Sequence, residues 1–343
     1  VDTDIEHAPL GGAFTTDVNA VRVHLAAQKE LGFSSLFMTT APMINATATA
    51  TIVPTGDYCV VSLESTSTTG ISVGGTANVD LGCGMITNST SMDAAVAFGN
   101  SDVDASPIAA VGGISASDNW GDDVQLLPFT LAQADPFANV PAPTFPTGNC
   151  PNVNVNPSNT QTISVTDGNT TGLPAGYGCF GNLDFKGTVT LNPGVYILDA
   201  GDFSISSQAH VSCPGGCTFV MSSRTAGTNP SSIGNVDFNG GAEVDLTAPT
   251  TGTYAGISIY QDRRAENCNN CNNINGNSSS SFHGAFYFPS QELIFTGTSG
   301  MSTNCVQMVA RRVTFSGTAA ISNVCDVPGG GSSFEGRSVR LVE

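Results

Sequence analysis

The sequence predicts a mostly β protein whose chain winds as a right-handed parallel β-helix, or solenoid, with an N-terminal helix and a proline-rich excursion. Three observations favour this fold class. Only 11% of the residues are charged, so Ser, Thr, Asn and Gly must form much of the surface. These short polar residues favour turns and strands over helices. Short alternating phrases recur at fixed steps, and ten cysteines lie among turns rich in Gly and Asn.

The repeat is clearest where residues 183–191 read LDFKGTVTL and residues 203–211, twenty positions later, read FSISSQAHV. Similar phrases start at residues 71, 236, 293 and 313. Periods of about twenty to fifty residues are typical of solenoids. One phrase is too short to bury its alternate apolar residues alone, whereas stacked copies share one continuous core. An antiparallel β-sandwich is the alternative.

The N-terminal helix is predicted over residues 16–32, which read TDVNAVRVHLAAQKELG. Its apolar residues recur at helical spacing. Asp17 is a suitable N-cap, and Gly32 is a suitable residue to end the helix. We expect this helix to pack over one end of the remaining structure.

The rest of the chain divides into a hairpin, a solenoid and an excursion. Residues 45–53 and 57–65 alternate on either side of Pro-Thr-Gly, which predicts a hairpin. We therefore expect a helix-and-hairpin cap over residues 1–65 and a β-solenoid over residues 66–343. Residues 115–160 interrupt the repeat with the only tryptophan and a cluster of prolines. They predict an excursion that packs along the outside of the solenoid.

The ten cysteines predict disulfides and an oxidising, extracellular compartment. Contacts in a solenoid are mostly between sequence neighbours, so we expect each cysteine to pair with the next. Two of these pairs lie in CPGGC and CNNC, which could instead supply four thiolates to zinc. Local disulfides suit an acidic extracellular chain better. The predicted pairs are Cys59–Cys83, Cys150–Cys179, Cys213–Cys217, Cys268–Cys271 and Cys305–Cys325.

The formal net charge of −18 argues against nucleic acid or an anionic membrane as a partner. It leaves weak calcium binding open, for example at Asp122 and Asp123, which lie beside Trp120 and could also bind a sugar. No apolar run reaches the roughly 20 residues of a membrane helix. The chain opens on VDTDIEHAPL without a signal peptide, so we expect that a targeting or anchoring segment was removed or left out.

A catalytic site has to be considered because parallel β-helices often carry polysaccharide lyases and hydrolases. That chemistry needs carboxylates clustered with Arg, Lys or His on one exposed face. The weak candidate site is Asp262, Arg263, Arg264 and His283, where the last residue follows the others by about one coil. An Asp–Arg pair that fixes a turn is the structural interpretation, because ion-pair networks resemble active sites. We predict no catalytic residue.

Several longer stretches resemble one family. The residues GTVTLNPGVYIL (187–198), LTAPTTGTYAGISIYQDR (246–263), FHGAFYFPSQELIFTG (282–297) and the tail VRLVE resemble Tad (tight-adherence) pilus-associated proteins of the TadG type. ADPFANVPAP (134–143) is similar to their proline-rich segment, and NAVRVHLAAQKELG resembles the helix after their membrane anchor. The resemblance implies a bacterial envelope protein with a repetitive ectodomain and no catalytic residues.

Together these features predict a non-enzymatic, extracellular structural or adhesive protein of a bacterial surface, associated with a Tad-type pilus. The expected partners are pilus components or further copies of the chain, with a glycan or a surface as ligand. The strand edge in the last coils motivates self-association, which could build a filament. The alternative is a carbohydrate-active β-helix enzyme, and a calcium-stabilised binding module is a third hypothesis.

Overall fold

The computed structural model describes residues 2–28, 41–277, 279–297, 301–303, 306–317, 320–323 and 334–342. The chain divides into two compact units. The terminal unit comprises Val1–Thr55 and Gly336–Glu343, and the stacked unit comprises Gly56–Glu335. In the described residues, regular structure is almost entirely strand, which confirms the predicted mostly β class.

The first strands are β1 (Asp2–His7), β2 (Val21–Gln28), β3 (Met43–Ser62), β4 (Ile71–Val73), β5 (Asn78–Asp80), β6 (Gly84–Thr87), β7 (Ala95–Ala97), β8 (Asp102–Asp104), β9 (Ile108–Ala110) and β10 (Leu126–Pro128). The next are β11 (Val153–Val155), β12 (Thr160–Ile163), β13 (Tyr177–Phe180), β14 (Leu183–Phe185), β15 (Thr188–Leu191), β16 (Gly194–Asp199), β17 (Phe203–Ile205), β18 (His210–Cys213) and β19 (Cys217–Ser222). The last are β20 (Val236–Phe238), β21 (Glu243–Thr247), β22 (Ile257–Gln261), β23 (Cys268–Gly276), β24 (Ser281–Gly297), β25 (Met301–Thr303), β26 (Val306–Gly317), β27 (Ala320–Asn323) and β28 (Phe334–Leu341). Single 3-10 turns are formed by Val165–Asp167 and Pro230–Ser232.

The terminal unit is an antiparallel sheet, and its second strand replaces the predicted helix. β2 pairs with β1 on one side and with β3 on the other, with Val23 opposite both Ile5 and Ala48. The helix prediction over residues 16–32 is therefore wrong where the structure describes it; residues 29–32 lie outside the described residues. Strand pairing on both edges outweighs a weak helical propensity, and β-branched valines suit a strand.

The predicted hairpin is also wrong, because β3 runs without a break through Pro54, Thr55 and Gly56. Its second half has partners elsewhere. Val61 pairs in parallel with Ile86 on β6, so residues 57–62 do not fold back onto residues 45–53. Parallel pairing in the stacked unit supplies hydrogen bonds that a hairpin would otherwise have provided.

The stacked unit consists of parallel ladders in which each stretch of chain adds one strand to each ladder in turn. Ladder A runs β11–β14–β17–β20–β23–β24–β26–β4–β7. Ladder B runs β12–β15–β18–β21–β24. Ladder C runs β13–β16–β19–β22–β24–β26–β3–β6–β9–β10. Ladder D joins β25, β27, β5 and β8.

The twenty-residue repeat sets the register of these ladders. Leu183 lies opposite Phe203 and Phe185 opposite Ile205, as the sequence predicted. Gly297 likewise lies opposite Gly317. All the pairings that build ladders A to D are parallel, so the antiparallel sandwich alternative does not describe this unit.

The order of the strands in the stack differs from their order in the sequence. β26 pairs with β24 on one side and with β3 and β4 on the other. Val309 lies opposite Val61, and Phe315 lies opposite Val73. The strands from β11 to β26 therefore come first in the stack, and the early strands follow them. β10 is the last strand of ladder C, and β11 is the first strand of ladder A. The chain between them therefore runs from one end of the stack to the other.

Alternate residues of ladder A fill a continuous apolar core. Leu183, Phe185, Phe203 and Phe238 are completely buried. The rings of Phe203 and Phe219 stack across one level with their centroids 4.2 Å apart. Phe203 also contacts Phe185 and Phe238 edge to face at 5.7 and 5.0 Å, so successive levels contact each other directly. Burying a side chain of this size stabilises a fold by roughly 1.5–3 kcal/mol.

Four of the five predicted cysteine pairs lie in the described residues, and all four are disulfide-bonded: Cys59–Cys83, Cys150–Cys179, Cys213–Cys217 and Cys268–Cys271. The corresponding Cα atoms are 5.2–6.1 Å apart, the usual span of a disulfide. The bonded sulfurs contradict the zinc alternative for CPGGC and CNNC. Cys305 and Cys325 lie outside the described residues. No helix in the described ranges has the length and apolarity needed to cross a membrane.

Candidate functional site

The structure separates the four residues of the predicted candidate site. Asp262, Arg263 and Arg264 follow β22 directly, at the end of a ladder C strand. His283 lies in the ladder B part of β24, opposite Thr247. The described part of the chain contains no hydrogen bond or ion pair between His283 and Asp262. Asp262, Arg263 and Arg264 therefore share one turn, whereas His283 lies on a different ladder.

Asp262 is fully buried and holds the turn after β22 in place. One carboxylate oxygen accepts hydrogen bonds from the Arg264 guanidinium at 2.5 Å and from the Ser222 hydroxyl at 2.7 Å. The other accepts the Arg264 backbone N–H at 3.0 Å. Burial by itself raises the pKa of the Asp262 carboxyl, but these hydrogen bonds outweigh burial and hold the pKa below its ordinary value.

Arg263 points the other way and anchors the excursion. Its guanidinium donates to the Phe137 carbonyl at 3.0 Å and to the Val140 carbonyl at 3.2 Å. It also donates to the Tyr287 hydroxyl at 3.1 Å, which in turn donates to the Asp135 carboxylate at 2.7 Å. The candidate arginine thus fastens one segment of the chain to another.

We call residues 129–152, between β10 and β11, the strap. Asn88 and Gln133 exchange two hydrogen bonds near its start, at 2.8 and 2.7 Å. The Tyr260 hydroxyl donates to the Val140 carbonyl at 3.2 Å further along, and burial raises the pKa of Tyr260 to about 12. Near its end, the Arg224 guanidinium donates to the Gly148 carbonyl at 3.0 Å.

The strap also covers an apolar surface. Phe137, Val140 and Phe145 pack against the outward residues of ladder C, which include the buried Ile197 and Val220. The Cys150–Cys179 disulfide closes the strap onto β13. The excursion predicted over residues 115–160 is therefore shorter in the structure: it is limited to the strap, because β10 and β11 pair within the ladders. The crossed stacking order explains the length of the strap.

A groove lies beside the turn at Asp262, and the sequence did not predict it. Its volume is about 400 Å³, and Glu64 and Arg311 line it together with Ser290. Glu64 is 2% exposed and lies 2.9 Å from the Arg311 guanidinium. Burial raises the pKa of the Glu64 carboxyl, but hydrogen bonds from Thr66 and the charges of Arg311 and Arg312 lower the pKa below its ordinary value.

The sequence carried one signal for this groove. Two adjacent arginines, Arg311 and Arg312, lie within an apolar strand, and buried arginines require a carboxylate partner. That partner could not be identified from the sequence, because Glu64 follows β3, an early strand that lies beside β26 only through the crossed stacking order.

The geometry at Asp262 and Glu64 suits structural ion pairs. A general acid must hold a proton near neutral pH, and catalytic carboxyls usually have a raised pKa for that reason. Here both carboxyls have lowered pKa values, and arginines of the fold already occupy them. Both carboxyls therefore favour the charged form and pair with arginines of the fold.

Trp120 belongs to the core and cannot serve as a sugar platform. It is 7% exposed, and its indole N–H donates to the Ser115 carbonyl at 2.9 Å. The sugar-binding hypothesis for Trp120 is therefore wrong. Asp122 and Asp123 are exposed beside it, and a solvated acidic turn describes them.

The outward side chains of ladder B form a regular polar surface, and we call it the polar face. Successive strands place Thr162, Thr190, Ser212, Asp245 and Ser281 opposite one another. All five are at least partly exposed. Neighbouring strands lie about 4.8 Å apart, so hydroxyl and carboxylate groups repeat at that spacing.

Comparisons with known proteins identify no relative: no family model, no curated protein and no solved structure matches this chain.

Proposed function

We propose that this chain is a non-enzymatic, extracellular structural or adhesive protein of a bacterial surface, associated with a Tad-type pilus. The observation that carries the proposal is the polar face, where hydroxyl and carboxylate groups repeat in register along the stack. Groups at a fixed spacing suit a repetitive ligand such as a glycan or a solid surface. The disulfides are compatible with an extracellular location.

We further propose that the ladders close into a right-handed β-helix. From β11 to β24 the strands follow one another in the order A, B, C, as a winding chain requires. From β3 to β9 the strands keep a cyclic order in which ladder D takes the place of ladder B. Crossover connections between parallel strands are right-handed in about 98% of cases. The packed aromatic core and the disulfides would make such a helix resistant to unfolding under load.

A binding assay tests the adhesive role. The purified chain is incubated with chitin, cellulose, mucin-coated polystyrene and bare polystyrene, and the bound fraction is measured. We expect binding to at least one of them, and a large loss when Thr162, Thr190 and Ser212 are all replaced by Lys. The matched control replaces Thr250, Thr251 and Thr253 by Lys, because these exposed threonines lie in the loop after β21. Equal binding by the two triple variants contradicts the proposal.

The groove beside Glu64 is the observation that favours the alternative, a carbohydrate-active enzyme. Its volume of about 400 Å³ lies within the usual range of ligand pockets. A screen against acidic and neutral polysaccharides tests this alternative through the release of new reducing or unsaturated ends. Product formation that Glu64→Gln abolishes, with the fold intact, would establish the enzyme and overturn the structural role.

A further inference from the structure

The terminal unit has an open sheet edge at β1. This strand pairs with β2 along one side, and in the residues that the structure describes no other strand pairs with it. Its residues are exposed, apart from the half-buried Glu6. An edge strand of six residues presents a row of backbone N–H and C=O groups to which another strand can pair.

In the residues that the structure describes, the last strand on the other side of this sheet is β28. The Val342 N–H donates to the Thr49 carbonyl on β3 at 2.9 Å, so the C-terminal segment lies beside β3. Arg337 and Arg340 are exposed on this strand. Val339 and Leu341 are also exposed, by 59% and 72%.

The two edges have opposite charge. β1 contains three carboxylates in six residues, at Asp2, Asp4 and Glu6, and these alternate residues share one side of the strand. The part of β28 within the terminal unit contains the two guanidiniums and no carboxylate. Two β1 edges therefore repel each other, as do two β28 edges, whereas a β1 edge attracts a β28 edge.

We propose that β1 of one copy pairs with β28 of a second copy and so joins the terminal sheets edge to edge. Because the two surfaces differ, the contact is head-to-tail, and repetition builds an open filament. Pairing also covers Ile5, which is 55% exposed, together with Val339 and Leu341. This inference rests on the proposed surface role and names the interface through which the protein assembles.

Charge reversal on each edge tests the interface. In one variant Asp2 and Asp4 are replaced by Lys; in the other Arg337 and Arg340 are replaced by Glu. Each variant alone brings like charges together, and we expect its self-association to weaken at least about tenfold in sedimentation velocity. An equimolar mixture again offers opposite charges at both contacts, and we expect it to regain the assembly of the wild-type chain. In negative-stain images, we expect filaments for the wild-type chain and for the mixture, and few or none for either variant alone.

The control replaces Asp102 and Asp104 on β8 by Lys, which changes the net charge as the first variant does but lies in the stacked unit. It should assemble like the wild-type chain.

A wild-type chain that stays monomeric at high concentration overturns the inference. Variants that assemble normally alone, or that fail to assemble when mixed, also overturn it. The binding assay described above distinguishes a failure of this inference from a failure of the proposed function. If the chain stays monomeric but still binds through the polar face, the filament interface is wrong and the adhesive role is retained. Assembly without any binding contradicts the adhesive role alone.

Discussion

The terminal unit and the stacked unit are both built from alternating strands, yet they use the alternation differently. In the terminal unit, Ile5 and Ile44 are each 55% exposed and Leu25 is 43% exposed. In the stacked unit, alternate residues of ladder A such as Phe185, Phe203 and Phe238 meet those of the next level and are completely buried. The same sequence pattern therefore gives a stabilising core only where further strands stack in register.

The largest expected effect is the loss of a core ring. Phe203 stacks on Phe219 and contacts Phe185 and Phe238 edge to face. We expect Phe203→Ala to destabilise the stacked unit by about 3–5 kcal/mol because it leaves a cavity between levels. The matched change Ile5→Ala in the terminal unit should cost less than about 1 kcal/mol. Denaturant unfolding measures both changes, and equal effects would contradict the contrast between the units.

A smaller effect is expected at the buried ion pair after β22. Asp262→Asn removes a charged acceptor from Arg264 and should destabilise the stacked unit by about 1–3 kcal/mol at neutral pH. Because the folded pKa of Asp262 lies below its ordinary value of about 3.9, the carboxylate stabilises the fold above about pH 4. This stabilisation is lost as the pH falls through the folded pKa.

The pH dependence distinguishes a charge effect from simple loss of packing. Melting curves across acidic pH should show that Asp262→Asn differs from the wild-type chain at neutral pH and approaches it in acid. Asp237→Asn, at an exposed position of β20, serves as the control and should follow the wild-type curve. A constant gap between Asp262→Asn and the wild-type chain at every pH would contradict the role of the charge.

The strap offers a local test within the stacked unit. Arg263→Ala removes three hydrogen bonds to the strap and to Tyr287. We expect amide exchange and proteolysis in residues 133–148 to accelerate about tenfold, while exchange in the ladders stays unchanged. Lys186→Ala, which removes an exposed ion pair with Asp184, is the control and should leave the strap unaffected.

The smallest expected effect tests the conformation of β2. At the partly exposed Leu25, Val suits a strand better than Ala, whereas Ala suits a helix better than Val. We therefore expect Leu25→Val to leave the terminal unit at least as stable as Leu25→Ala, with a difference of up to about 1 kcal/mol. The opposite order in thermal unfolding would restore the helix that the sequence predicted.

Features that depend on nearby sequence could be predicted. Leu183 and Phe203 occupy the same place in consecutive phrases, so their pairing follows from the repeat. The pairing of Cys150 with Cys179 followed from the expectation that sequence neighbours are in contact. The presence of a strap outside the ladders followed from the interruption of the sequence repeat. Those predictions required no knowledge of distant parts of the chain.

Features that depend on distant strands could not be predicted. Residues 21–28 contain both helix formers and β-branched valines, and their pairing with β1 and β3 makes them a strand. Glu64 and Arg311 form the groove because β26 lies beside β3, although the repeat alone suggests that neighbours in sequence are neighbours in the stack. Long-range pairing of this kind leaves no periodic signal near either residue.

The most direct test of the parallel stack and its crossed order is the distance between Ser72 on β4 and Thr314 on β26. The structure places these residues opposite each other on neighbouring strands. Spin labels at the two positions should show strong dipolar broadening, because adjacent strands are about 4.8 Å apart. A stack that followed the sequence would separate them by roughly 38 Å along ladder A. Absence of broadening, with a distance near that larger value, would contradict the structure described for the stacked unit.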